Sequence, residues 1–319
     1  MRAAVLFPGQ GSQFEGMADP WQSHEAGAAV FTRLSETWDR DVVELCRDAD
    51  GLATTELVQP ALFACDLAAF RVLEAEGVRF EAAAGHSLGE FVALVAAGVL
   101  DDVDAFRIVI TRGRAMQEAS NVTPSGMTAL IGMSPADAAE ICRVAGRGDV
   151  LEVANENAAK QVVLSGSIPA IERAEEAARS AGAKAIRLKV AGAFHSPLMR
   201  PALDPVREAL SHAEFHPPQM ALVPNVSGRV TRESSALRDL LSRHIVSPVR
   251  WERSMRALAD AGIDTFVEAG PGDVLSKLVR RNVPGTTAVA VGSPEAAKEF
   301  AGAPPALQSE PPALSQESA

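Results

Sequence analysis

Short, fully apolar runs alternate along this chain with longer stretches whose apolar residues recur every three or four positions. Ala3-Ala4-Val5-Leu6-Phe7 is such a run, and it predicts a buried strand that breaks at Pro8-Gly9-Gln10-Gly11-Ser12-Gln13. Residues 26–47 then carry helical periodicity through Val30, Phe31, Leu34 and Trp38, and a loop follows near 48–55. Pro60 is expected to open the next helix at its first position. Leu62, Phe63, Leu67, Phe70 and Leu73 fall on one face of it, and Gly77 ends it. Residues 78–84 read as a second strand. It runs into Gly85-His86-Ser87-Leu88-Gly89 and an Ala-rich helical run over 91–97. Strand, helix, helix, strand, turn, helix predicts an α/β arrangement with parallel strands. Asp101 and Asp102 cap a further helix over 103–118.

The pattern changes after a polar loop at 121–126. Strand 127–133, helix 135–145, strands 150–154 and 161–165, helix 169–181 and strand 184–190 follow in the order βαββαβ, that of the ferredoxin-like split unit. Afterwards come helix 201–213, strand 221–225, helix 235–245, helix 251–261, strand 265–269 and helix 274–281. From about Ser293 the composition turns to Pro, Ala, Ser and Glu, expected of a disordered tail or linker. The predicted fold class is therefore α/β. A large α/β-hydrolase-like domain with a parallel sheet (1–124 and 192–292) holds an inserted small ferredoxin-like subdomain (125–191), and 293–319 is the tail.

Composition narrows the function classes. A net charge of −11 and an aromatic fraction of 5% with no tyrosine argue against nucleic-acid binding, which needs a basic face or stacking platforms. No run approaches the ~20 apolar residues of a membrane span, and the apolar stretch at the N-terminus is too short for a signal peptide. Cys46, Cys65 and Cys142 show no ligand spacing, so buried thiols of a cytoplasmic protein are expected rather than a disulfide set or a metal site.

The chemistry gathers at Ser87. Gly85 and Gly89 remove the Cβ atoms that would crowd a sharp strand-to-helix turn, leaving a hydroxyl exposed at the positive end of a helix. The bland alternative is a glycine-rich turn with an incidental serine. Of six histidines, His86 adjoins Ser87 and should point away from it. His24, His212, His216 and His244 have polar or helix-edge surroundings. His195, in Ala193-Phe194-His195-Ser196-Pro197, lies where the small unit returns to the large one. It is the best candidate base of the six, although a hydrogen-bonded core histidine is the commoner case at such a position. Arg112 has Ile108, Val109, Ala115 and Met116 at helical offsets, so its cation on an apolar line needs an anionic partner. That partner is an internal carboxylate, or solvent reached by snorkelling, or the carboxylate of a ligand gripped by the guanidinium. Arg114, by contrast, has a mixed, solvated setting.

Seven segments together resemble one family. They are Phe7-Pro8-Gly9-Gln10-Gly11-Ser12-Gln13, Gly85-His86-Ser87-Leu88-Gly89-Glu90, Arg112-Gly113, Gln161-Val162-Val163-Leu164-Ser165-Gly166, Ala193-Phe194-His195-Ser196-Pro197-Leu198-Met199, Ser247-Pro248-Val249-Arg250-Trp251 and Glu268-Ala269-Gly270-Pro271-Gly272. In this order, over roughly 3–290, they resemble the malonyl-CoA:acyl carrier protein transacylases, including discrete acyltransferases that serve polyketide synthases. The resemblance implies Ser87 as nucleophile and His195 as general base and then acid. It implies an oxyanion hole from the backbone N–H groups of Leu88 and Gln10, and Arg112 as the grip on the malonyl carboxylate. Met116 and Phe194 would line the substrate pocket, Phe194 excluding an α-methyl branch. A backbone carbonyl of segment 247–250, that of Arg250, would orient His195.

The implied reaction is ping-pong, from malonyl-CoA through a Ser87 ester to the phosphopantetheine thiol of an acyl carrier protein, with no cofactor and no metal. The expected state is a monomer. Carrier proteins of this kind are acidic, and Lys184, Arg187, Lys189, Arg280 and Arg281 are candidate docking cations, with ordinary solvated surface as the alternative. Competing readings are a proofreading acyl hydrolase, a transferase of larger acyl groups between carriers, and a docking module with a degenerate site. Arg112 weighs against the first two, and the intact Ser87, His195, Gln10 and Arg112 against the third.

Overall fold

The computed structural model describes residues 2–302. Five strands, β1 (Ala3–Phe7), β2 (Ala82–Gly85), β7 (Ala221–Leu222), β8 (Thr265–Ala269) and β9 (Thr287–Val291), form a parallel sheet in the order β7-β2-β1-β8-β9. β1 lies at its centre, with Phe7 in register with Gly85 and Leu6 with Glu268. Both faces of this sheet are covered, which is why β1 is apolar at every position. Val5 and Phe7 pack into one hydrophobic cluster, and Ala4 and Leu6 into another on the opposite face. The helices packed on and around the sheet are α1 (Glu25–Trp38), the one-turn α2 (Val42–Leu45) and α3 (Ala49–Leu52), α4 (Thr55–Ala75), α5 (Gly89–Ala96), α6 (Asp102–Val122), α9 (Leu203–His212), α10 (Ser234–Leu241), α11 (Trp251–Asp260), α12 (Val274–Asn282) and α13 (Pro294–Gly302).

A separate antiparallel sheet has the order β4-β5-β3-β6. It is built from β3 (Ser125–Ile131), α7 (Pro135–Gly146), β4 (Leu151–Ala158), β5 (Gln161–Ser167), α8 (Ile168–Ser180) and β6 (Lys184–Arg187), with a hydrophobic cluster of its own. It joins the large unit along β4. The Val249 N–H donates to the Ala154 carbonyl and the Glu156 N–H to the Val249 carbonyl, both at 2.8 Å.

Several sequence expectations are corrected. Helix α4 begins at Thr55, so Pro60 lies inside it. A proline there has no N–H for the Glu56 carbonyl one turn back. Gly113 of α6 faces that carbonyl; a Cβ at 113 would sit 3.0 Å from the Glu56 and Thr55 oxygens. The pairing of proline with glycine lets α6 approach α4 closely at the position of Arg112. Residues 48–55 are not a loop, because the Asp48 side chain caps α3 through the Gly51 N–H. Helix α6 continues to Val122, which shortens the expected 121–126 loop. The strand at 221–225 pairs only over Ala221–Leu222. The expected tail carries α13, whose Ala297 is buried in the main core. Residues 303–319 of the expected tail lie outside the described residues.

Candidate active site

β1, β2 and β8 end side by side, and the loops leaving them converge where open parallel sheets place their sites. At the end of β2 the chain reverses within five residues. A Cβ on Gly85 would fall 1.9 Å from the Gly89 carbonyl carbon, and one on Gly89 would fall 2.2 Å from the Phe7 carbonyl oxygen. Both glycines are therefore steric necessities. Among the described residues, four non-glycine positions have positive φ: Asp39, Arg147, Ser87 and His195. The first two terminate helices. The other two, at 52° and 57°, touch each other. Strained backbone retained at two residues in contact is the pattern of a functional pair.

The Ser87 Oγ lies 2.8 Å from the His195 Nε2. The His195 Nδ1 faces two carbonyl oxygens, Ser247 at 3.0 Å and His244 at 3.2 Å. A nitrogen facing only acceptors carries the proton, so Nε2 presents its lone pair to the serine hydroxyl. Arg112 Nη2 donates to the same Oγ at 3.1 Å. Arginine cannot accept, which sends the Ser87 proton towards His195. Burial, with the charges of Arg112 and His86, lowers the His195 imidazole to about 3, against the two carbonyls. It is neutral at pH 7.

The expected orienting carbonyl is corrected from Arg250 to Ser247, with His244 beside it. The Arg250 carbonyl is already occupied by the Ser254 N–H and hydroxyl at 3.0 Å, because Arg250 caps α11. His244 is not at a polar edge. It is fully buried, its ring 5.3 Å from that of His195.

Arg112 is 1% exposed and, among the described residues, has no carboxylate in hydrogen-bond contact. Nη1 donates to the Gln59 Oε1 at 2.5 Å, and Nε has no protein partner. Glu90 is the nearby acid. Its Oε2 accepts from the Asn225 N–H at 2.9 Å, and burial pushes its carboxyl up to about 8. Burial also lowers the guanidinium to about 10, with Glu90 acting the other way. The internal-carboxylate alternative is thus met only through space. Three of the five guanidinium N–H groups remain for another acceptor. Met116 is buried beneath this group, its sulfur 3.6 Å from the Gln59 Nε2. Phe194 is buried in the main cluster next to His195.

The backbone N–H groups of Leu88 and Gln10 donate to no protein acceptor among the described residues. The Gln10 side chain reaches the Thr55 hydroxyl at 3.5 Å. His86 does point away from the nucleophile, to the Asn157 Oδ1 at 2.9 Å. A cleft of ≈ 590 Å³ runs between the small sheet and the 246–248 segment, with His195, Pro197 and Pro248 on one wall and Leu151, Glu152 and Glu156 on the other. Of the candidate docking cations, Arg187 is paired with Glu175 at 2.7 Å, and Arg281 and Arg280 donate to Gln161 and the Ala288 carbonyl.

Sequence reasoning missed Gln59, Asn225, Glu90 and the Ser247 carbonyl. Gln59 had one available signal, an amide within the largely apolar helical run of α4.

A serine and a neutral histidine on an α/β frame, flanked by free backbone N–H groups, can form and break an acyl ester. The chain belongs to the acyl transferase domain family, which matches residues 5–301. Within it, the malonyl CoA-acyl carrier protein transacylase of Escherichia coli K12 is 40% identical over 92% of this chain and 96% of that protein. The crystal structure of an acyl-carrier-protein S-malonyltransferase from Burkholderia pseudomallei 1710b superposes with a TM-score of 0.90, at 35% identity over 94% of this chain and 99% of that one. A malonyl-transacylase solved in complex with its type II polyketide synthase acyl-carrier protein gives 0.89 at 35% identity, over 93% and 98%.

Proposed function

We propose that this chain moves malonyl from coenzyme A to the phosphopantetheine thiol of an acyl carrier protein through an ester on Ser87. The observation that carries the reading is the Ser87 Oγ held between a lone-pair acceptor, His195 Nε2 at 2.8 Å, and a buried cation, Arg112 at 3.1 Å. His195 removes the hydroxyl proton as Oγ attacks the thioester carbonyl. The Leu88 and Gln10 N–H groups receive the oxyanion, an arrangement worth about 3 kcal/mol per donor. Collapse breaks the C–S bond, and the leaving thiolate takes the proton from His195. The carrier thiol then repeats the steps in reverse, giving its proton to His195 and returning one to Ser87 Oγ. The free N–H groups of Arg112 receive the malonyl carboxylate, and the Phe194 ring disfavours an α-methyl branch, a discrimination of about 1–3 kcal/mol.

The strand order of the small sheet supports a ferredoxin-like unit, and the crossover-linked parallel sheet a hydrolase-like large one. Nucleophile and base come from one chain, which supports action as a monomer. Among the described residues no helix is long and apolar enough to cross a membrane, in keeping with a cytoplasmic enzyme whose partner is an acidic carrier. Among the described residues Lys184 and Lys189 form no ion pair and are the freest of the candidate docking cations.

The test is intact-mass detection of a covalent adduct after incubation with malonyl-CoA, acetyl-CoA or methylmalonyl-CoA. A malonyl adduct that is absent in Ser87→Ala and discharged by holo carrier protein is expected. Its absence, or rapid loss to water without carrier, would overturn the proposal, the latter in favour of a hydrolase.

A further inference from the structure

We infer that Asn225, from the loop after β7, is a positioning residue that holds the Ser87 turn and the His195-orienting segment in register. The inference rests on the reading of Ser87 and His195 as nucleophile and base. Asn225 is 1% exposed. Its side-chain amide brackets the turn: Oδ1 accepts the Ser87 N–H at 2.7 Å, and Nδ2 donates to the Gly85 carbonyl at 2.6 Å. These bonds lie on either side of His86, where the chain enters the left-handed region at Ser87. A serine relaxes out of that region unless its surroundings fix it.

The backbone of the same residue reaches the other half of the site. Its N–H donates to the Glu90 Oε2 at 2.9 Å, tying in the first turn of α5. Its carbonyl accepts the Arg250 N–H at 3.0 Å. Arg250 closes the segment whose Ser247 carbonyl holds the His195 Nδ1. The His244 Nε2 lies 3.4 Å from Oδ1. Ser87 and His195 are 108 positions apart in sequence and sit on separate elements. Asn225 is bonded directly to the turn of one and to the segment orienting the other.

The consequence is specific. Asn225→Ala removes both bonds to the turn. Asn225→Asp keeps the shape and the acceptor for the Ser87 N–H, but sets an acceptor against the Gly85 carbonyl beside Glu90. In each variant the rate of Ser87 malonylation in a first turnover should fall about 100-fold, the scale of an ångström of misplacement. KM for malonyl-CoA should stay near its wild-type value, because Arg112 is untouched. Labelling of Ser87 by an aryl sulfonyl fluoride, in which the Oγ–S bond forms as fluoride leaves and His195 takes the proton, should fall by a similar factor. That reagent has no carboxylate and so reads the serine–histidine register alone. A folded variant that malonylates at the wild-type rate, or whose whole loss lies in KM, overturns the inference. Should neither variant fold, hydrogen exchange in the wild-type protein decides: the Ser87 amide should be protected, and exchange at the rate of an open loop overturns it. Failure of the wild-type protein to form a Ser87 ester would instead remove the functional reading beneath.

Discussion

Arg112→Ala should convert a malonyl-selective site into one that hardly distinguishes malonyl from acetyl. Burial lowers the guanidinium from its ordinary value to about 10, net of the opposing influence of Glu90. At about 1.4 kcal/mol per pKa decade, the site opposes its charge by about 3 kcal/mol. The group is fully enclosed, so solvent screening does not reduce that figure. That figure already contains the partial offset from Glu90, whose own carboxyl is pushed up to about 8 and which makes no hydrogen bond to Arg112. A substrate carboxylate seated on the free N–H groups supplies the anion this buried charge lacks, and a net gain of about 3 kcal/mol corresponds to a preference of about 10² for malonyl over acetyl. Removing the arginine also frees the Ser87 hydroxyl from one of its two partners, but this acts on both substrates and cancels in their ratio. The assay is competitive acylation from an equimolar mixture of malonyl-CoA and acetyl-CoA, read by intact mass on the first turnover. A folded Arg112→Ala protein with an unchanged malonyl-to-acetyl ratio would refute the assignment of Arg112 to the carboxylate.

Two further predictions follow from buried titrating groups. A base whose pKa is depressed stays in its active neutral form until the pH falls to that value, about 3 for His195; acylation should therefore hold level from pH 7 to pH 5, whereas a histidine at 6.5 would lose about 30-fold. A stopped-flow profile falling with a midpoint near 6.5 would contradict this. Asp66 on α4 is fully buried, neither carboxyl oxygen has a partner, and burial, aided by Glu268, raises it well above the usual range. A carboxyl raised in the folded state contributes stability below its unfolded pKa that is lost as pH rises. Asp66→Asn should melt above wild type at pH 8, with the gap closing towards pH 4; a gap independent of pH would be the wrong result.

Most of the frame was legible because period carries it. A continuously apolar strand such as Ala3–Phe7 and the regular stripe on α4 each betray their partners by pattern alone. The errors lie where local chemistry was overridden from a distance. Pro60 is a good helix opener by rule, yet α4 starts five residues earlier, with Gly113 of another helix lying close to the carbonyl that proline leaves without its helical partner. Pro, Ala and Ser after residue 293 resemble a linker, yet Ala297 finds room against the main core and α13 forms. Neither neighbour can be read from the segment itself.

The site divides along the same line. Ser87 and His195 sit in motifs whose glycines and proline announce unusual backbone, and the structure gives both residues positive φ. Asn225 announces nothing, and Gln59 only an amide among the buried positions of α4, since a buried amide is recognised by what it bonds. The orienting group is harder still, because a backbone carbonyl belongs to every residue. Choosing between Arg250 and Ser247 depends on which carbonyl a helix has already taken, and α11 takes that of Arg250 through Ser254. This arrangement has an energetic consequence. A carboxylate behind the imidazole would raise its pKa, whereas two neutral carbonyls fix the tautomer and leave burial and Arg112 to depress it. On the proposed function, the base then shares the pocket with the cation that would bind the substrate, and the pair stays singly charged. A triad acid would place a second anion beside the incoming malonyl carboxylate and compete for Arg112. In a site that holds an anionic acyl group, as proposed, a carbonyl in the third position would keep the cation free for its ligand.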